Sequence, residues 1–122
     1  MRRSSGKRRA KAKQALKLAQ IHAALVAAGC DTVAKQAAVL GLLRSTAWAL
    51  FNQDKRAGPT ASVINRILAS PNVPLAVRRK VEEYIEEKIR GLYGHSERRV
   101  RAFRDRVRVP SDGARNRPKS AA

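Results

Sequence analysis

One cysteine, Cys30, stands among 122 residues. An internal disulfide is therefore impossible and a cysteine-based zinc site cannot be built, which fits a reducing cytoplasm. Aromatic residues are only 4% of the chain. The stacking platforms that grip single strands are accordingly scarce, and no alternating apolar pattern supplies the strands of a sheet-based RNA-binding fold. Apolar runs stay short of the ~18 residues that would span a bilayer. The basic N-terminus leads into Lys17, Gln20 and His22 rather than into a signal-peptide core. No glycine-rich phosphate loop, metal-ligand spacing or Ser/His/Asp arrangement occurs, so neither catalysis nor a cofactor nor a small-molecule ligand is expected.

Acidic residues are the other shortage: nine Asp and Glu face 27 Lys and Arg, a formal net charge of +18. A field of that sign favours a polyanion, of which nucleic acid is the usual one. The charge is uneven. Eight Lys and Arg and no acid precede Leu18; nine follow from Arg98 onward, against Asp105 and Asp112. The middle of the chain is nearly balanced and rich in Ala, Val and Leu. A globular centre with two basic ends is the simplest organisation.

Residues 1–9 lack apolar periodicity and read as a disordered basic arm carrying Arg2, Arg3, Lys7, Arg8 and Arg9. A domain over 10–93 follows. Its first helix, 10–28, repeats Leu18, Ile21, Leu25 and Ala28, flanked by Leu16, Ala19, Ala23 and Val26, with Lys11, Lys13, Lys17 and Gln20 outward. His22 reads as a packed or surface histidine and Cys30 as a small hydrophobe. Asp31 and Thr32 are candidate caps for a second helix. Past the polar loop 53–59, a fourth helix is predicted over about 60–69, burying Val63, Ile64, Ile67 and Leu68. Pro74 opens a fifth, to about Arg90, with Val81, Tyr84, Ile85, Ile89 and Leu92 on its apolar stripe. Glu82, Glu83, Glu86 and Glu87 on that helix are suited to i,i+3 and i,i+4 ion pairs rather than to acid–base chemistry. Ser96 caps a short basic helix within 94–108, and disorder is expected over 109–122.

Residues 33–52, VAKQAAVLGLLRSTAWALFN, organise the reading. Two short helical patterns, 33–40 and 44–52, flank a turn on Gly41. Ala37 lies four residues before the glycine and Leu50 nine after it. A small residue suits a close helix crossing, and glycine suits a turn with φ > 0. That is helix-turn-helix spacing. Leu42, Ala47, Leu50 and Phe51 face inward, and Arg44, Ser45, Trp48, Ala49 and Asn52 are left for a major groove; the Trp48 ring has the alternative of folding over the following loop to complete the core. Arg44 carries the fork that pairs with guanine, Ser45 and Thr46 can reach a phosphate or a base edge, Asn52 has the chemistry to take an adenine, and Lys55 and Arg56 beyond the helix suit phosphates.

Position by position the stretch resembles the helix-turn-helix of the lambda repressor-like family, which also includes LacI-type headpieces. Ala49-Leu50-Phe51-Asn52 looks like the end of a recognition helix of that family. In this sequence Gln36 takes a usually apolar position, and Leu43 stands where Ser or Thr normally caps. The resemblance implies an all-α, five-helix domain with a basic arm, here followed by a short basic C-terminal helix. It implies that Thr32 at the start of the second helix meets a phosphate, that Asn52 does likewise, and that the fifth-helix stripe Val81, Tyr84, Ile85, Ile89 and Leu92 pairs two copies. The expectation is a dimeric regulator of transcription that reads double-stranded DNA in a bacterial nucleoid. A non-specific architectural DNA-binding protein and an RNA-binding protein using the arginine-rich ends are the alternatives.

Overall fold

The structure is a computed structural model and describes residues 2–52 and 58–108, with side-chain surroundings from residue 9 onward. The described residues form six helices and no strand: α1 (Arg2–Ala27), α2 (Val33–Leu40), α3 (Arg44–Asn52), α4 (Ala61–Ala69), α5 (Leu75–Ile89) and α6 (Glu97–Arg106). The chain is thus all-α. Three boundaries follow from side-chain caps. Thr32, Thr60 and Ser96 each accept the N–H three residues ahead, from Lys35, Val63 and Arg99. Such caps satisfy a donor that the first helical turn leaves without an internal partner.

α1 differs from expectation at its start. It begins at Arg2, not near residue 10, so residues 2–9 are helical rather than a disordered arm. Arg, Lys and Ala are strong helix formers and need no apolar stripe to continue a helix. The side chains of Arg2, Arg3, Lys7 and Arg8 lie outside the described residues, and Arg9 is exposed. The expected tail 109–122 also lies outside them.

α5 is the axis of the core. Val77, Val81 and Tyr84 are fully buried and Ile85 nearly so, because α1 covers one side of α5 and α6 the other. This corrects the assignment of a pairing face. Val81, Tyr84 and Ile85 are spent inside one molecule, while Ile89 and Leu92 are half-buried. The Tyr84 ring stacks on Tyr93 at 5.2 Å between centroids. Its hydroxyl donates to Gln14 Oε1 at 2.9 Å.

The buried face of α1 is more polar than its periodicity predicts. Ile21 and Leu25 are buried as expected, but so are Gln14 and Lys17, whereas Leu16 and Val26 are exposed. Lys17 Nζ lies 2.7 Å from Glu83 and 3.5 Å from Glu87 on α5. Burial works to lower the Lys17 pKa, but the hydrogen bond and charge of Glu83, with Glu87, outweigh it and hold the ammonium above its ordinary value. Part of the acidic cluster is thus consumed by a helix about seventy positions away in the chain.

The corner between α4 and α5 is tied to the end of α2. Arg78 donates to the Leu68 and Ser70 carbonyls, both at 3.2 Å. Ser70 Oγ in turn donates to the Val39 carbonyl at 2.6 Å. Phe103 anchors α6, and Asn65 of α4 bonds the Arg106 carbonyl and the Arg108 N–H.

Candidate nucleic-acid interface

Gly41 closes α2 in the left-handed conformation, φ 72°, and its N–H reaches the Ala37 carbonyl. A side chain is disfavoured there both by φ and by space, since an added Cβ would stand 3.3 Å from Ser70 Cβ. Leu42 N–H also bonds the Ala37 carbonyl, and Ala37, Leu40 and Leu42 are buried. Gln36, set where an apolar residue was expected, is buried too. Its Nε2 donates to the Cys30 carbonyl at 3.1 Å, fastening the loop between α1 and α2.

α3 lies against α2 and α1. Ala47 is fully buried at the contact, and half-buried Leu50 and Phe51 pack on the core. Phe51 meets His22 edge-on at 5.0 Å, so that histidine is a packing residue. Arg44, Ser45, Trp48 and Asn52 are exposed, Trp48 at 48%, while Thr46 and Ala49 are half-buried. Positions 44, 45, 48 and 52 fall on one side of a 3.6-residue helix. No acidic residue occurs between Thr32 and Gln53, so the outer surface of α2 and α3 carries no charge that would repel a phosphate.

Two of the expected side chains have local partners. Thr32 is exposed at the start of α2, with its hydroxyl occupied as a cap. Asn52 donates from Nδ2 to the Trp48 carbonyl at 2.8 Å, so its carboxamide is folded onto its own helix rather than extended. Lys55 and Arg56 lie outside the described residues.

Leu43 holds the cap position of α3. Its carbonyl accepts Ala47 N–H at 2.9 Å. Its side chain is 65% exposed and has no oxygen with which to cap. Leu43→Ser should therefore stabilise the protein by about 1 kcal/mol, the usual worth of a cap. A urea midpoint checks this, and an unchanged or lowered midpoint would contradict it.

A second basic feature was not legible in the sequence. Lys88, His95, Arg99 and Arg106 line one cleft together with the first turn of α4. They come from α5, the loop after it and α6, and no local spacing relates them. Lys88 follows the acids of α5 in the chain, yet it is buried, 4.6 Å from the Phe103 ring centroid and 3.3 Å from the Tyr84 hydroxyl.

Comparison with protein-family models, curated proteins and solved structures finds no match to this chain. Among the described residues no helix is long and apolar enough to cross a membrane.

Proposed function

We propose that this chain is a sequence-specific, double-stranded-DNA-binding regulator of transcription of the lambda repressor-like kind. On this reading α2, the Gly41 turn and α3 are its helix-turn-helix. The observation that carries the proposal is the division of α3. Ala47, Leu50 and Phe51 bind it to the body, while Arg44, Ser45 and Trp48 stand exposed together on the other side. A helix held by one face and armed on the other is what major-groove entry needs. Arg44 near its start would read a guanine, and Trp48 would meet thymine methyls or backbone sugars. The net charge of +18 supplies attraction independent of sequence.

The regulator is proposed to act as a homodimer, one α3 per half-site, with half-sites about 34 Å apart. With most of the α5 stripe committed to the core, one apolar surface available for pairing among the described residues is the exposed line Leu16, Ala19, Ala23 and Val26 of α1.

Selection from random duplexes at fixed salt tests the reading. It should return a short, partly palindromic motif. Arg44→Ala should lower affinity for that motif by about 1–3 kcal/mol and relax one base position. Removing Lys55 should weaken all duplexes alike. No motif, with log K falling steeply against log salt, would instead indicate an architectural DNA coat. Preference for structured RNA over duplex would indicate an RNA-binding protein. An intact motif after Arg44→Ala would remove α3 as the reading element.

A further inference from the structure

We propose that the cleft between the first turn of α4, the C-terminal half of α5 and α6 is a binding site for a phosphoryl group. The cleft is open to solvent and has a volume of about 400 Å³. Its floor is Lys88 and Phe103. One wall is Thr60 and Ala61 at the start of α4, and the other is α6. Arg99, Phe103 and Arg106 are spaced i, i+4, i+7, so one face of α6 sets an arginine on either side of the buried ring. His95 completes the rim. Among the described residues that line the cleft none is acidic.

Three physical features point to an anion. Lys88 is only 5% exposed, so its ammonium is poorly screened by water and acts strongly on whatever enters. Burial first, and the Arg99 charge second, push its pKa down to about 8. The α4 N-terminus adds the positive end of a helix dipole. Arg99 and Arg106 are exposed and bring planar forks that match phosphoryl oxygens. A neighbouring cleft of about 600 Å³, lined by Arg66 and Arg108, shares Arg106, Thr60 and Ala61 with this one. Further phosphates of the same ligand would continue along it.

The phosphoryl group belongs either to a small phosphorylated molecule or to a duplex backbone. Pyrophosphate is the first probe, titrated at constant ionic strength while the His95 ring signals are followed by NMR. Binding should saturate. It should weaken about tenfold or more in Arg99→Gln/Arg106→Gln, since each lost charged hydrogen bond is worth about 1.5–3 kcal/mol. Arg79→Gln/Arg90→Gln removes equal charge from exposed positions outside both clefts and should change it less than about twofold. The second arm measures a duplex of arbitrary sequence against salt. If the backbone is the source, the cleft variant loses about one more unit of slope than the control. If a small molecule is the source, the two variants keep equal slopes while the pyrophosphate difference remains. Equal behaviour of the two variants in both arms would overturn the site and leave only the general charge. Neither arm uses base preference, so failure here is distinct from failure of Arg44 as a reader.

Discussion

Gly58→Ala should destabilise the protein by about 2–4 kcal/mol, far more than alanine at Gly29 or Gly91, the left-handed glycines with open space around them. Gly58 has φ +71°, and an added Cβ would run into both Gln14 Oε1 and the Tyr84 hydroxyl. Tyr84 cannot retreat, being fully buried and stacked on Tyr93. Gln14 can move only by giving up the hydrogen bond from that hydroxyl. A buried hydroxyl without its partner costs about 1–3 kcal/mol, and the left-handed backbone adds about 1 kcal/mol for a residue with a Cβ. Gly91 provides the control, with φ +80° and nothing within 4 Å of its added Cβ. It should show the backbone cost alone. Urea unfolding of the two variants makes the comparison. Equal midpoints would mean that the chain at Gly58 does not press on Tyr84.

Lys88→Met should stabilise the protein at pH 7 by about 1–3 kcal/mol and remove a pH dependence. The wild-type lysine has a pKa near 8 in the fold, lowered by burial and then by Arg99, against an ordinary 10.5. Between those two values the unfolded chain binds the proton and the folded one releases it. Stability must therefore rise as pH goes from about 8 to about 10, by an amount on the order of 3 kcal/mol if fully realised. Below pH 8 both states are protonated and the fold carries the buried charge. Above pH 10 the trend reverses. Burial pushes the Tyr84 and Tyr93 phenols well above their ordinary value, with the Glu87 hydrogen bond adding to Tyr93. The unfolded chain then ionises its tyrosines while the fold cannot. Methionine keeps most of the packing on Phe103 and Tyr84 but cannot titrate. Its stability curve should be flat from 8 to 10 and should still fall beyond it. Parallel wild-type and variant curves would show that Lys88 is hydrated like a surface lysine.

What could be read from the sequence was what neighbours in the chain decide. Thr32 and Ser96 are caps whose partners lie three residues on, and Gly41 ends a helix by its own backbone freedom. The limits of α2 and α3 follow from such local signals, whereas these leave Trp48 between the outer face and the core. Distant partners decided the rest. Lys17 looked like the solvent side of α1 because Glu83 and Glu87, which hold it, are far along the chain. The stripe of α5 suited a second copy equally well until α1 and α6 were seen to cover it. Asn52 had the chemistry to reach outward, but the Trp48 carbonyl lies closer. The basic cleft needed three segments to meet, and composition reports only that the chain is cationic.

The relay from Arg78 through Ser70 to the Val39 carbonyl has an evolutionary reading. It props the Gly41 corner from which α3 departs, so the tilt of α3 is governed by a guanidinium on another helix. If α3 reads bases as proposed, altered target choice would arise without any change in Arg44, Ser45 or Trp48. Second-site suppressors of damage in α3 are accordingly to be sought at Arg78 and Ser70, where a small shift is geared up along the length of the helix.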